Sequence, residues 1–150
     1  MKDKNDQYTV DWIDQLEENT KEPELLHNSI KCPDGTVLVS RFHHNFVSHV
    51  QEDGREYAVD GGLSYSRILH SDNEYENLCV YDTDPHDLIR NKFEWTRNYD
   101  ADMNLLPKPE RLVLKDITDD HLKALVDYTA TDYPAKINKV FVDELKFRGL

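Results

Sequence analysis

Glycine and aspartate cut the middle of this chain into short β-prone runs, and that punctuation constrains the fold more than any other feature. Phe46-Val47-Ser48-His49-Val50 and Tyr57-Ala58-Val59 stand on either side of Asp53-Gly54. An Asp-Gly pair accepts the positive φ of a tight turn, so the arrangement predicts a β-hairpin. Asp60-Gly61-Gly62 punctuates again, and Leu63 to Leu69 reads as the next strand. Thr36 to Val39 forms a run before the hairpin. Leu78 to Tyr81, after the polar Ser71–Glu76 loop, and Lys92 to Thr96 form runs after it. Residues 84–90 fit a turn or a short helix equally well.

Helical periodicity flanks this region. Over residues 8–19, Val10, Ile13 and Leu16 share a face with Trp12 beside it, and acids lie mostly opposite. Pro23 marks a break, so residues 1–29 read as an acidic helical N-terminus. Further on, Pro107 and Pro109 precede a strand at Arg111–Leu114. Thr118 followed by Asp119 and Asp120 predicts a helix start, a capping hydroxyl ahead of two acids at the positive end of the dipole. Leu122, Leu125 and Val126 supply that helix's apolar face. A second helix is predicted from Pro134 to Phe147, with Ile137, Val140, Phe141, Leu145 and Phe147 as its buried stripe and Gly149 as its stop.

Two such helices cannot hide their faces on each other alone. The expectation is therefore an α+β domain: an antiparallel sheet of about four to six strands with the N-terminal helix and the two C-terminal helices packed on it. The 150 residues suit one domain, with the sheet and candidate site in 30–98 and a strand plus two helices in 110–150.

Charge narrows the partners. The net charge is −12, and ten of the twelve excess negative charges fall before residue 83. A chain without clustered Lys and Arg is not expected to bind nucleic acid directly, or an acidic membrane surface. No apolar run approaches a membrane span, and the Met1–Asp6 start is followed by no apolar stretch of the secretory kind. Cys32 and Cys79 are the only cysteines, and they read as reduced thiols in the cytoplasm.

Chemistry-bearing residue types concentrate between His43 and Arg67. Counting outward from the Asp53-Gly54 turn brings Asp60 back beside the Asn45 end of the preceding strand, so His44, Asn45 and Asp60 are expected to meet at one end of the sheet. His44 and Asp60, with His49 or His70, offer metal-ligand types. The spacing is not that of a chelating pair, and His43 and His44 would point to opposite faces of a strand. Gly61 and Gly62 would let a ligand approach the backbone, whose amides can cradle a phosphate. Tyr65 and Arg67, expected on one strand face with Leu63, could stack on and pair with a nucleotide-like ligand. His44 beside Asp60 would also be an oriented imidazole able to move protons near neutral pH. Ser64 and Ser66 are nucleophiles by type but are expected to face away from Tyr65, with no elbow motif around them. Cys32 sits in a turn.

On Ile30-Lys31-Cys32, then Ser40, His44 and Phe46, then Val59-Asp60-Gly61-Gly62, Tyr65 and Arg67, the chain resembles a small phage and bacterial domain family with no assigned activity. Its members run Ile-x-Cys-x-x-Cys-Gly, Ser-x-x-x-His-Asp-Phe, a hairpin, and Val-Asp-Gly-Gly-x-x-Tyr-x-Arg. The resemblance covers residues 30–68. It implies a phage origin, action in a host cytoplasm, and an accessory role such as acting against host defence. Many members carry zinc-ribbon cysteines; here only Cys32 is kept, so no structural zinc is expected. Asn45 stands where the family has Asp.

Three functions are open on the sequence. The leading one is a binding protein, without cofactor or metal, that uses His44, Asn45, Asp60, Gly61, Gly62, Tyr65 and Arg67 to hold a small anionic, nucleotide-like ligand or a loop of a host protein. The second is a hydrolase of phosphate esters or nucleotides using His44 and Asp60. The third is an acidic mimic of nucleic acid that inhibits a basic host protein through residues 3–24 and 52–76.

Overall fold

Gly54, at φ +87°, turns the chain at the tip of the expected hairpin, and Gln51 N–H closes the loop on the Arg55 carbonyl at 2.8 Å. The computed structural model describes residues 22–150, so the amphipathic segment at 8–19 lies outside the described residues. The hairpin joins β3 (Val47–Val50) to β4 (Glu56–Asp60) in the register Val47 opposite Val59. Strand β4 then pairs antiparallel with β5 (Arg67–His70), placing Ala58 opposite Leu69 and Asp60 opposite Arg67. Two other strands precede these: β1 (Leu25–Lys31) and β2 (Val37–Ser40). The short β6 (Glu76–Asn77) and β7 (Val80–Tyr81) follow. Among the described residues, β1 is the centre of a four-stranded sheet with β2, β6 and β7, all antiparallel to it.

The rest of the chain is a helical layer with a two-stranded ribbon. Helix α1 (His86–Lys92) resolves the ambiguity at 84–90 in favour of a short helix. Strands β8 (Glu94–Tyr99) and β9 (Leu105–Val113) pair antiparallel, a 3-10 turn follows at Leu114–Asp116, and α2 (Asp119–Tyr128) and α3 (Ala135–Phe147) end the chain. The fold is α+β, as the patterning predicts. Thr118 caps α2 by accepting the His121 amide proton, and Gly149 takes φ +75° beyond α3. No helix among the described residues is long and apolar enough to cross a membrane.

Two apolar clusters hold the layers together. Phe93, Leu114, Leu122 and Phe141 are buried between the helices and the ribbon, with Trp95 packed edge-on to Phe141 at 5.5 Å. Ile30, Leu38, Tyr57 and Val59 fill the space between the two larger sheets. Truncating a fully buried aromatic such as Phe141 to Ala would cost about 3–5 kcal/mol, a large part of the roughly 5–15 kcal/mol that holds a domain folded.

Four expectations are corrected. Residues 25–31 are the central strand, not the end of a helical N-terminus. Polar His27, Asn28 and Ser29 interrupt any apolar period, yet all three are buried because both faces of β1 are covered. Strand β5 begins only at Arg67, because Gly61 and Gly62 at φ +111° and +56° curl the preceding residues into a turn. Of the run at 78–81 only Val80–Tyr81 is a strand, β7, while β6 falls just before it at Glu76–Asn77, where the polar loop was expected to end. The strand at 111–114 is the end of the longer β9, whose Pro107 and Pro109 fall where the ladder to β8 breaks register.

The stripe of α3 differs in the same manner. Phe147 is half exposed, while Glu144 is fully buried. Arg90 reaches Glu144 with two bonds of 3.0 Å, His86 with one of 2.9 Å and Arg148 with one of 2.7 Å. Burial opposes ionisation of this carboxyl, but the bonds from Arg90, Arg148 and His86 outweigh it and hold its pKa at about 2. His86 is thus part of the ion network that ties α1 to α3.

Candidate functional site

Two turns clasped side by side build the site at the open end of β4. The first covers residues 41–45. Asn45 shapes it: its amide donates to the Phe42 carbonyl at 2.9 Å and its side-chain Oδ1 accepts the Arg41 amide proton at 2.8 Å. His44 takes φ +61°, a left-handed conformation uncommon outside glycine. The second covers residues 61–65, where Ser64 N–H donates to the Gly61 carbonyl at 3.1 Å. Ser40 Oγ fastens one turn to the other, donating to the Asn45 carbonyl at 2.6 Å and accepting the Gly62 amide proton at 2.8 Å.

Both glycines are required sterically. A Cβ on Gly61 would stand 2.1 Å from the Tyr65 carbonyl oxygen, and one on Gly62 would stand 2.4 Å from the Phe42 carbonyl carbon. Behind them, fully buried Asn28 donates from Nδ2 to the carbonyls of Asp60 at 3.1 Å and Tyr65 at 3.0 Å, while its Oδ1 accepts from Ser66 Oγ at 2.8 Å. Lys136 of α3 reaches across to the Leu63 carbonyl at 2.7 Å and the Leu25 carbonyl at 2.8 Å. Burial lowers the pKa of its ammonium, against the raising effect of Glu24 and Asp82.

This scaffold presents a chain of polar contacts. His44 Nδ1 lies 2.8 Å from the Tyr65 hydroxyl, which donates to Asp60 Oδ2 at 3.3 Å; Arg67 Nη2 donates to the same oxygen at 3.2 Å. A hydroxyl that gives its proton to a carboxylate accepts from the imidazole, which places the His44 proton on Nδ1. Burial, the Asp60 charge and the hydrogen bond to Asp60 push the Tyr65 phenol above its ordinary pKa. Asp60 is only 6% exposed, and its Oδ1 is buried with no hydrogen-bond partner among the described residues. By contrast, the Arg67 side chain is 59% exposed.

The predicted site residues therefore converge, with changed roles. His44 and Asp60 communicate through Tyr65 rather than by direct contact. Asn45 serves the turn and makes no bond to Asp60. The Gly62 amide is spent on Ser40 and is not free to cradle an anion. His43 was expected to point away from His44 as in a strand; because 41–45 is a turn, the two rings lie 3.7 Å apart. Ser64, expected to face away, brings Oγ to 3.1 Å from His43 Nδ1. His49 is at the far end of the hairpin, 2.7 Å from Asp34, and His70 packs on Tyr75. Among the described residues no three His, Cys, Asp or Glu side chains group where they could hold a metal ion. Sequence reasoning missed Asn28 and Lys136, and named Ser40 only as a position of the resemblance, with no role. The only sequence signal of Asn28 and Lys136 was polarity within or beside apolar runs.

The Asp34–His49 pair is a second polar cluster. It borders an open cleft of about 610 Å³ with Gln51 and Arg55. Hydrogen bonds from His49 and the Thr36 amide hold the Asp34 carboxyl at about 2.

Comparison with protein-family models, with curated proteins and with solved structures finds no match to this chain.

Proposed function

We propose that this chain is a binding module whose site, built of His43, His44, Asp60, Tyr65 and Arg67, receives a loop of a partner protein. On the phage resemblance, that partner is a host protein. One observation carries the reading: the buried Asp60 Oδ1 has no donor among the described residues. A buried acceptor left unpaired costs about 1–3 kcal/mol, and more when charged, so the site gains what it lacks when a partner group supplies an N–H. A loop fits better than a small anion, because a carboxylate occupies the middle of the site and the Gly62 amide is already bonded. The rim suits a protein surface: Phe42 is 66% exposed, and Phe46 is half exposed.

A photo-crosslinking amino acid at Tyr65, compared with one at Lys123 on α2, tests the proposal in a bacterial extract. The expected result is one dominant adduct from position 65 that is lost on Asp60→Asn. Equal labelling from both positions, or an adduct indifferent to Asp60→Asn, would sink it.

The His44–Tyr65–Asp60 relay favours a second reading, a phosphate-ester or nucleotide hydrolase in which His44 moves a proton. Turnover of a panel of nucleotides and phosphate esters that falls with His44→Gln would support it; absence of product from the wild-type protein would remove it.

A further inference from the structure

Resting on the binding reading above, we infer that the partner segment is basic and extended, with an arginine for Asp60 placed two residues from an aliphatic side chain for the hollow over Ala58. In the register of the three-stranded sheet, Ala58 and Asp60 of β4 share one face with Leu69 and Arg67 of β5. Tyr57 and Val59 point the other way, into the core. On the open face Phe46, Ala58 and Leu69 border a hollow of about 280 Å³, and Phe46, Val50 and Leu69 are all substantially exposed. The hollow over Ala58, which Glu56, His70 and Ser71 also line, and the Asp60 position are thus two residues apart along one strand, roughly 6–7 Å. Positions i and i+2 of an extended peptide have the same separation and point the same way, so one segment can fill both.

The chemistry of the first position is set by Asp60. Its carboxylate is acceptor-only, and the existing bonds, at 3.2 and 3.3 Å, both fall on Oδ2 and leave the buried Oδ1 without a donor among the described residues. A guanidinium is the donor that matches a carboxylate geometrically, and it stacks on aromatic faces such as those of Tyr65, His43 and exposed Phe42. The net charge of −12 draws basic segments and repels acidic ones. Arg67, highly exposed and joined to Asp60 by one bond, is the group that the incoming arginine displaces or shares the carboxylate with.

The test is an NMR titration of the full ¹⁵N-labelled chain with two pentapeptides, acetyl-Ala-Arg-Ala-Leu-Ala-amide and its reverse-order counterpart. Versions carrying citrulline or Glu in place of Arg are the controls. At least one arginine peptide should shift the amides of Ala58, Asp60 and Leu69, with citrulline weakening binding tenfold or more. Asp60→Asn should abolish the shifts. Arg67→Ala, an exposed change, should tighten arginine-peptide binding by freeing Oδ2; an anion-binding site would respond in the opposite sense. If the citrulline peptides bind as well as the arginine ones, or Arg67→Ala weakens binding, the inference is wrong. Shifts at this face from the Glu peptides alone would reject the basic partner and keep the binding module. No shift from any peptide at tens of millimolar would reject both.

Discussion

Removing the Asn28 side chain should unfasten the site from the core. Asn28 is fully buried at the middle of β1, and its amide sends both Nδ2 protons to carbonyls of the site loop, at Asp60 and Tyr65. Its oxygen takes a proton from Ser66 Oγ at 2.8 Å and faces Cys79 Sγ at 3.3 Å. Asn28→Ala deletes these bonds and leaves the two carbonyls short of a donor. With about 1 kcal/mol net for each strong bond and 1–3 kcal/mol for a buried group left unpaired, the loss is about 3 kcal/mol. Urea unfolding of the wild type and the variant measures it directly. Hydrogen exchange adds the location, since amides of residues 61–66 should lose protection first. Asn28→Asp sharpens the test: it keeps the shape but turns an acceptor toward two carbonyls, so its folded form favours the protonated acid and its pKa is raised. The penalty should therefore be relieved below about pH 4, the ordinary carboxyl value, and grow as the pH rises above it. An Asn28→Ala loss under about 0.5 kcal/mol, the range of an ordinary surface change, would refute the role assigned to Asn28.

Two further outcomes follow from the geometry. The Glu144 carboxyl is held at about 2 against an ordinary 4.5, so its ionised form contributes about 3 kcal/mol above pH 4.5 that is lost as the pH falls toward 2. Urea midpoints measured from pH 6 to low pH should show this slope in the wild type and not in Glu144→Gln. Gly61→Ala would drive a Cβ into the Tyr65 carbonyl at φ +111°, costing at least about 1–3 kcal/mol and moving the Tyr65 hydroxyl off Asp60. Thermal melts and the Tyr65 ring resonances report the two effects separately.

Much of the fold was legible because local chemistry dictates it. Asp53-Gly54 turns wherever two β-prone runs flank it, Thr118 caps whatever helix follows, and the 3.6-residue period of Ile137, Val140 and Phe141 needs no knowledge of the rest of the chain. The approach of His44 to Asp60 was legible for the same reason, since a hairpin of known turn brings fixed positions together, whereas Tyr65, expected in a strand, reaches them from a turn. Where sequence reasoning failed, long-range packing had overruled local pattern. Leu25–Lys31 carries three polar residues in a row, and only the covering of both its faces makes it a central strand. Glu144 sits in an apolar stripe because Arg90 and His86 of α1 and Arg148 at the end of α3 arrive there with it.

The stretch from His43 to Arg67 carries, in its residue types and its turn, both the place of the site and most of its members. Only the tertiary structure decided what each does. A turn rather than a strand at 41–45 joins His43 to His44, the Gly61-Gly62 curl lays Tyr65 between His44 and Asp60, and burial leaves one carboxylate oxygen unpaired. Residue type and spacing are local properties of the chain; hydrogen-bond satisfaction and burial depend on everything that packs around it.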